Sequence, residues 1–164
     1  MTQTFDTPVL SSEVRDGKQW VAVEAQHWHA IHVELSSSFP RFEWLTAVHN
    51  LNEDFDVTSM VSTVDLTSAA LVTARVVDGS IDTVASVYAV ADFYEREVIQ
   101  MFGLRIGDVE RSSAFDTQFD GYPLRRDFAL TPRETTEWPG AVEPDVNARR
   151  RPALPPGVFA EWQS

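Results

Sequence analysis

The sequence predicts an α+β domain, a small antiparallel or mixed sheet packed against helices, followed by a Pro-rich extended C-terminal tail. Three observations carry this. Apolar residues recur at helical spacing near residues 28–35 and 90–102, with β-rich, alternating runs between them. Seven of the nine prolines fall in residues 122–164. Proline lacks the N–H and fixes φ, so such a stretch cannot continue helices or central strands.

Residues 1–18 show no periodicity and read as a loosely docked arm. From Glu24 to Leu35 the pattern turns helical: Trp28, Ile31, His32 and Leu35 share one face, and Ser36 to Ser38 with Pro40 end the run. Phe42, Leu45 and Val48 suggest a second, short helix before Asn50. Phe55 to Asp65 alternates as a strand does. Ala70 to Val77 is a second strand, closed by the turn signal Asp78-Gly79, with Thr67-Ser68 as the hairpin loop between the two. Thr83 to Tyr88 reads as a third strand. Val90, Phe93, Tyr94, Glu97, Val98, Met101 and Phe102 then share a helical face, and Gly103 stands where a left-handed C-terminal glycine belongs. The organisation is therefore an arm (1–18), an α+β domain (19–130) and an extended tail (131–164).

Charge and composition exclude several function classes. The 164 residues carry 25 acids and 13 bases, a net charge of −12. Neutralising phosphates needs a basic surface, so nucleic acid and anionic membranes are poor partners. The acids are concentrated in residues 1–121, with 19 acids against 7 bases; residues 122–164 balance at 6 and 6. With no cysteine, the chain itself can hold no disulfide, thiolate nucleophile or Cys-ligated metal centre. No signal peptide is visible at the N-terminus and no apolar run reaches the ~20 residues of a membrane span, so a cytoplasmic location without direct membrane insertion is expected.

The candidate sites are few. His27, His29 and His32 lie close in sequence, but His27 and His29 are about 200° apart on a helix, an awkward geometry for shared metal ligation. Glu95 and Glu97, flanking Arg96, are two apart on a helix and point to different sides, which argues against a carboxylate dyad and a hydrolase built on it. Glu97 falls on the apolar face, where an unpaired charge is costly, so Arg125 or Arg126 is its expected partner. In the tail, Arg149, Arg150 and Arg151 lie between Trp138 and Trp162, residue types favoured as interface anchors. No phosphate-binding glycine loop or nucleophile elbow occurs. A stand-alone module binding a small ligand remains an alternative to a partner-binding subunit.

Two blocks carry a family resemblance. Ala91 to Leu104 is similar to the Ala-x-Trp-x-Glu-Arg-Glu-x-x-Asp-Met-Phe-Gly-Ile segment of the 30 kDa-type subunit of respiratory NADH:quinone oxidoreductase (complex I), a subunit type shared with membrane-bound hydrogenases and formate hydrogenlyases. The positions are Glu95, Arg96, Glu97, Met101, Phe102 and Gly103. Gly121, Pro123, Leu124, Arg125, Arg126, Asp127 and Phe128 resemble the family's Gly-x-Pro-Leu-Arg-Lys-Asp-Phe-Pro-Leu. Gln100 replaces the usual Asp, Phe93 a Trp, Ala129 a Pro, and Gly107-Asp108-Val109 a Gly-His-Pro. The resemblance covers roughly residues 42–130. It implies a non-catalytic scaffold in the peripheral arm, on the cytoplasmic face of the membrane. Its partner would be the large 49 kDa-type, hydrogenase-like subunit, over which the tail runs. This chain would bind no cofactor, and other subunits would hold the NADH, FMN, quinone and iron–sulfur sites.

Overall fold

The first sheet strands come from a stretch without alternating apolar residues. Ser11–Arg15 (β1) and Lys18–Glu24 (β2) form an antiparallel hairpin whose end pair is Arg15 opposite Lys18. Asp16 and Gly17, at φ 51° and 73°, are its two-residue turn. Both central residues of such a turn need positive φ, which Asp-Gly supplies. Residues 11–15 are therefore a strand where an arm was expected. As the sheet's edge, with Glu13 and Arg15 exposed, β1 buries almost nothing and so leaves no hydrophobic period to read. The computed structural model describes residues 5–108, 119 and 121–129. These lie in the first of the two units, 1–129 and 130–164, into which the chain divides. Trp138, Arg149, Arg150, Arg151, Trp162 and the extended tail fall outside the described residues.

A short 3-10 turn, Ala25–His27, leads into helix α1, Trp28–Ser36. As its spacing predicts, Trp28, Ile31, His32 and Leu35 are buried. The expected second helix is instead strand β3, Arg41–His49. Its inward residues, Leu45, Ala47 and His49, alternate with exposed Thr46 and Val48. A bulge between Phe42 and Trp44 puts Phe42 and Leu45 on one side at an odd spacing, and the exposed Val48 completes an apparent helical period without sharing their face. Phe55–Ser62 (β4) and Ala69–Val76 (β5) form the hairpin the sequence indicates.

The five strands are ordered β1-β2-β5-β4-β3. All neighbours are antiparallel except β2 and β5, which run parallel in register from Gln19–Ala70 to Glu24–Arg75. The fold is thus α+β with a mixed sheet. Ser80–Ile81 (β6) and Arg105–Ile106 (β7) make a separate two-residue parallel pair. Between them runs helix α2, Ala91–Phe102.

Thr83 to Tyr88 is a turn, not the expected strand: the Val84 carbonyl accepts the N–H groups of Val87 and Tyr88. Val84 packs into the core and Val87 against it rather than extending a ladder.

The core joins one sheet face (Val21, Val23, Val57, Val61, Val72, Ala74) to α1, α2 and the chain around Val84 and Tyr88. Each such aliphatic side chain contributes about 1.5–3 kcal/mol when fully buried. Tyr88 and His32 are among the polar groups built into it. The Tyr88 hydroxyl donates to the Phe39 carbonyl at 2.8 Å, and burial pushes its pKa up to about 12. His32 has Nδ1 2.6 Å from the Trp28 carbonyl and Nε2 2.7 Å from Ser59 Oγ. A carbonyl only accepts, so Nδ1 carries the proton, and Nε2 accepts from the serine. Burial lowers the His32 pKa to about 4, against the opposing pull of the Trp28 carbonyl, so the ring is neutral at pH 7.

Candidate functional site

The two sequence blocks, separated along the chain, meet at the C-terminal end of α2. Gly103 ends this helix in the left-handed conformation, φ 71°, with its N–H bonded to the Ile99 carbonyl. The next free carbonyls receive donors from the second block. Leu124 N–H bonds to the Met101 carbonyl at 3.1 Å, and Arg125 Nε donates to the Phe102 carbonyl. A guanidinium placed here satisfies an orphan carbonyl and opposes the partial negative charge of the helix end.

Arg125 is itself held between aromatic rings, with its guanidinium carbon 4.5 Å from the Tyr122 centroid and 5.5 Å from that of Phe55. The Tyr122 ring lies so close to Gly103 that a Cβ there would come within 2.6 Å of it. Gly103 is therefore required twice, for its φ and for the space. The following residues dock on the β3–β4 hairpin: Arg126 N–H donates to His49 Nδ1 at 3.2 Å, and His49 stacks on Phe55. Asp127 is exposed, 3.7 Å from the same nitrogen, and Phe128 lies by Phe119 with ring centroids 6.2 Å apart. Gly121 has φ 120°, Pro123 is half-buried, and Tyr122 and Leu124 remain exposed.

In the first block, the buried acid is Glu95, not Glu97. Glu95 is fully buried and accepts from Val84 N–H and Thr83 Oγ1, both at 2.7 Å, fastening the 83–88 turn to α2. Glu97 is exposed, and among the described residues no ion pair joins it to Arg125 or Arg126. The helix is rotated from its expected facing: Ala91, Glu95, Val98 and Phe102 point inward, while Phe93 is 69% exposed. Arg96 pairs with Asp92 across one turn at 3.0 Å, on the surface. Glu95 carried one legible signal, its i, i+4, i+7 spacing with Ala91 and Val98. The large apolar Phe93 and Val90 outweighed it. Glu95 and Glu97 lie on different sides of the helix, as their offset requires.

The three histidines are also dispersed. His32 is buried in the core, His29 lies 3.0 Å from Ser86 Oγ, and His27 is beside Gln26. Among the described residues, no three His, Asp or Glu converge on a possible metal position. A shallow cleft of about 260 Å³ lies between the β1–β2 turn and the β4–β5 loop, lined by Lys18, Glu43, Met60 and Ser62 among others. This is below the ~300–1,000 Å³ usual for small-molecule sites. No described helix is long and apolar enough to cross a membrane.

Known proteins are similar to this chain in sequence and in fold. The NADH-quinone oxidoreductase C/D-type subunit of Cereibacter sphaeroides is 30% identical over 151 residues, covering 77% of this chain and 26% of the relative. The C-type subunit of the Maricaulis maris enzyme is 41% identical over 63 residues, covering 37% of this chain and 32% of the relative. The matches therefore span about a third or less of the length of these relatives. Among solved structures, a chain of the archaeal membrane-bound sulfane sulfur reductase, a respiratory membrane complex, superposes with TM-score 0.63 at 25% identity, covering 73% of this chain and 77% of that one. A trypsin-resistant fragment of Nqo5 has the same fold, with TM-score 0.53 at 18% identity over 62% of this chain and 89% of the fragment. Residues 21–134 match the family described as "Respiratory-chain NADH dehydrogenase, 30 Kd subunit", with both blocks inside the match; the chain belongs to that family.

Proposed function

We propose that this chain is a non-catalytic structural subunit in the peripheral arm of a membrane-associated NADH:quinone oxidoreductase, on the cytoplasmic face, where it scaffolds the large quinone-site subunit. The observation that carries this is how the family blocks are used. Glu95, Gly103 and Arg125 bind other parts of the same domain, so their chemistry is spent on holding shape. Tyr122, Leu124, Arg126 and Asp127 remain on the surface just before residue 130. Without cysteine the chain cannot ligate an iron–sulfur cluster. In this reading NADH, FMN, quinone and clusters are held by other subunits. The 49 kDa-type large subunit is engaged by residues 131–164 through Trp138, Arg149, Arg150, Arg151 and Trp162.

A second reading gives the chain the same role in a related assembly, a hydrogenase-type or sulfur-reducing membrane complex. The likeness to the sulfane sulfur reductase chain favours it.

Affinity purification of the tagged full-length chain from detergent-solubilised membranes, with the co-purifying subunits identified by mass spectrometry, tests both. A stoichiometric large hydrogenase-like subunit, lost on deletion of residues 131–164, is the expected result. NADH- and flavin-binding companions indicate the first assembly, and a nickel-ligating large subunit the second. Turnover or a stoichiometric prosthetic group in the pure single chain would refute both.

A further inference from the structure

His49 ends β3 and is buried at the place where the second sequence block meets the sheet. One of its ring nitrogens faces two groups of opposite kind. Arg126 N–H lies 3.2 Å from Nδ1, and Asp127 Oδ1 lies 3.7 Å from the same atom. The first group only donates, and an ionised carboxylate only accepts. Nδ1 therefore serves one of them at a time. In the structure it serves the donor, because 3.2 Å is a hydrogen bond and 3.7 Å is beyond one. Nδ1 is then the bare nitrogen, and the ring proton sits on Nε2.

A proton added to Nδ1 reverses the choice. The ring becomes a donor at both nitrogens. Arg126 N–H then points at another donor and loses its acceptor, while Asp127 gains a charge-assisted bond a short movement away. Arg126 and Asp127 are both exposed, so the released N–H meets water.

The surroundings confine the change. His49 stacks on Phe55 with ring centroids 4.8 Å apart, which sets the plane of the ring. Besides Asp127, the second block brings Arg125, whose guanidinium carbon is 5.5 Å from the Phe55 centroid and whose charge opposes protonation. The hairpin acids are engaged elsewhere, Asp54 with Arg75 and Asp56 with Asn50. From α2, it is Phe102 that meets Phe55, edge-on. The preceding bonds of the block, Leu124 N–H to the Met101 carbonyl and Arg125 Nε to the Phe102 carbonyl, contain no group that titrates near neutrality. The backbone can thus change at 126–127 with 124–125 held.

We propose that His49 is a proton-operated switch, which holds Arg126 N–H when neutral and the Asp127 carboxylate when protonated, and so resets the backbone and the exposed side chains at 126–127. It is a property of the single chain and stands apart from the scaffold reading above. Nuclear magnetic resonance of the labelled full-length chain, titrated from about pH 8 to 5, tests it. His32, with a pKa of about 4, stays largely neutral over this range. The Arg126 amide is expected to shift and lose exchange protection with the same midpoint as the His49 ring, while the Leu124 amide does not move. In His49→Gln the amide oxygen can accept without titrating, so the Arg126 signal should become independent of pH. Asp127→Asn should release Arg126 only at a pH lower by roughly half a unit. An Arg126 amide that ignores the titration of His49, or a ring that does not titrate in this range, overturns the proposal. So does a midpoint unchanged in Asp127→Asn, and since the Asp127 side chain is 72% exposed, that variant decides the matter even if His49→Gln fails to fold.

Discussion

Glu95 and Glu97 differ by two positions and by almost everything physical. Replacing Glu95 with Ala removes both acceptors of the 83–84 turn and strands a buried N–H. The expected loss is about 2–4 kcal/mol, read by chemical denaturation. Glu97→Ala, on the surface, should stay within about 0.5 kcal/mol of wild type. Equal losses would mean that Glu95 is not the anchor. His32 makes a prediction in pH. Its folded pKa of about 4 lies below the ordinary 6.5, so the unfolded chain binds the extra proton. Its contribution is full above pH 6.5, declines as pH falls toward 4, and levels off below that, a total on the order of 3 kcal/mol. Burial pushes the Asp54 carboxyl up, but hydrogen bonding and charge from Arg75 outweigh it and hold it low. The stability that Asp54 adds is therefore lost only at more acid pH. Between pH 6.5 and 5, His32→Gln should show a flatter stability profile than wild type, and an unchanged slope would contradict the buried neutral ring.

At the scale of elements, the end of α2 is the joint on which the second block depends. Gly103→Ala forces a Cβ into a left-handed residue, at about 1–2 kcal/mol, and into the Tyr122 ring. Gly79→Ala, with φ 64° and open space around it, suffers only the first effect. Gly103→Ala should therefore lower the melting temperature more. Adding Tyr122→Ala to it should restore the steric part, minus the lost contact between Arg125 and the ring; strict additivity in the double mutant would deny the clash. Arg125→Lys keeps the charge but loses Nε and the planar stacking. It should destabilise by about 1–2 kcal/mol, close to Arg125→Ala.

At the scale of the molecule, every member of the core cluster among the described residues lies between Val21 and Ile106. Residues 1–129 alone should fold, with a melting temperature within a few degrees of the full chain and no large subunit on co-purification. A truncated chain that fails to fold would show that residues 130–164 serve stability as well as association. Much of this domain was legible in its sequence. The α1 face, the β4–β5 hairpin and Gly103 follow from periods and φ preferences that act over a few residues. The two family blocks were likewise visible as strings. What was not legible is equally specific. β1 is an edge strand with no apolar period, β3 is disguised by its bulge, and the 83–88 turn is built from strand-forming residues. The facing of α2 is hidden in the sequence because Phe93 and Val90 are large and apolar yet exposed.

The amino-acid string by itself determined the family, the helical faces near residue 30, the cysteine-free chemistry and the acidic balance, since composition and local spacing need no third dimension. Tertiary structure decided the parallel pairing of Gln19 with Ala70, the burial of Glu95 under residues 83–84, the docking of Arg125 on the end of α2 and the placing of Trp44 beside Met60. Each of these joins groups far apart along the chain or on different strands. Its free energy comes from shared hydrogen bonds and excluded water that exist only once the segments have met.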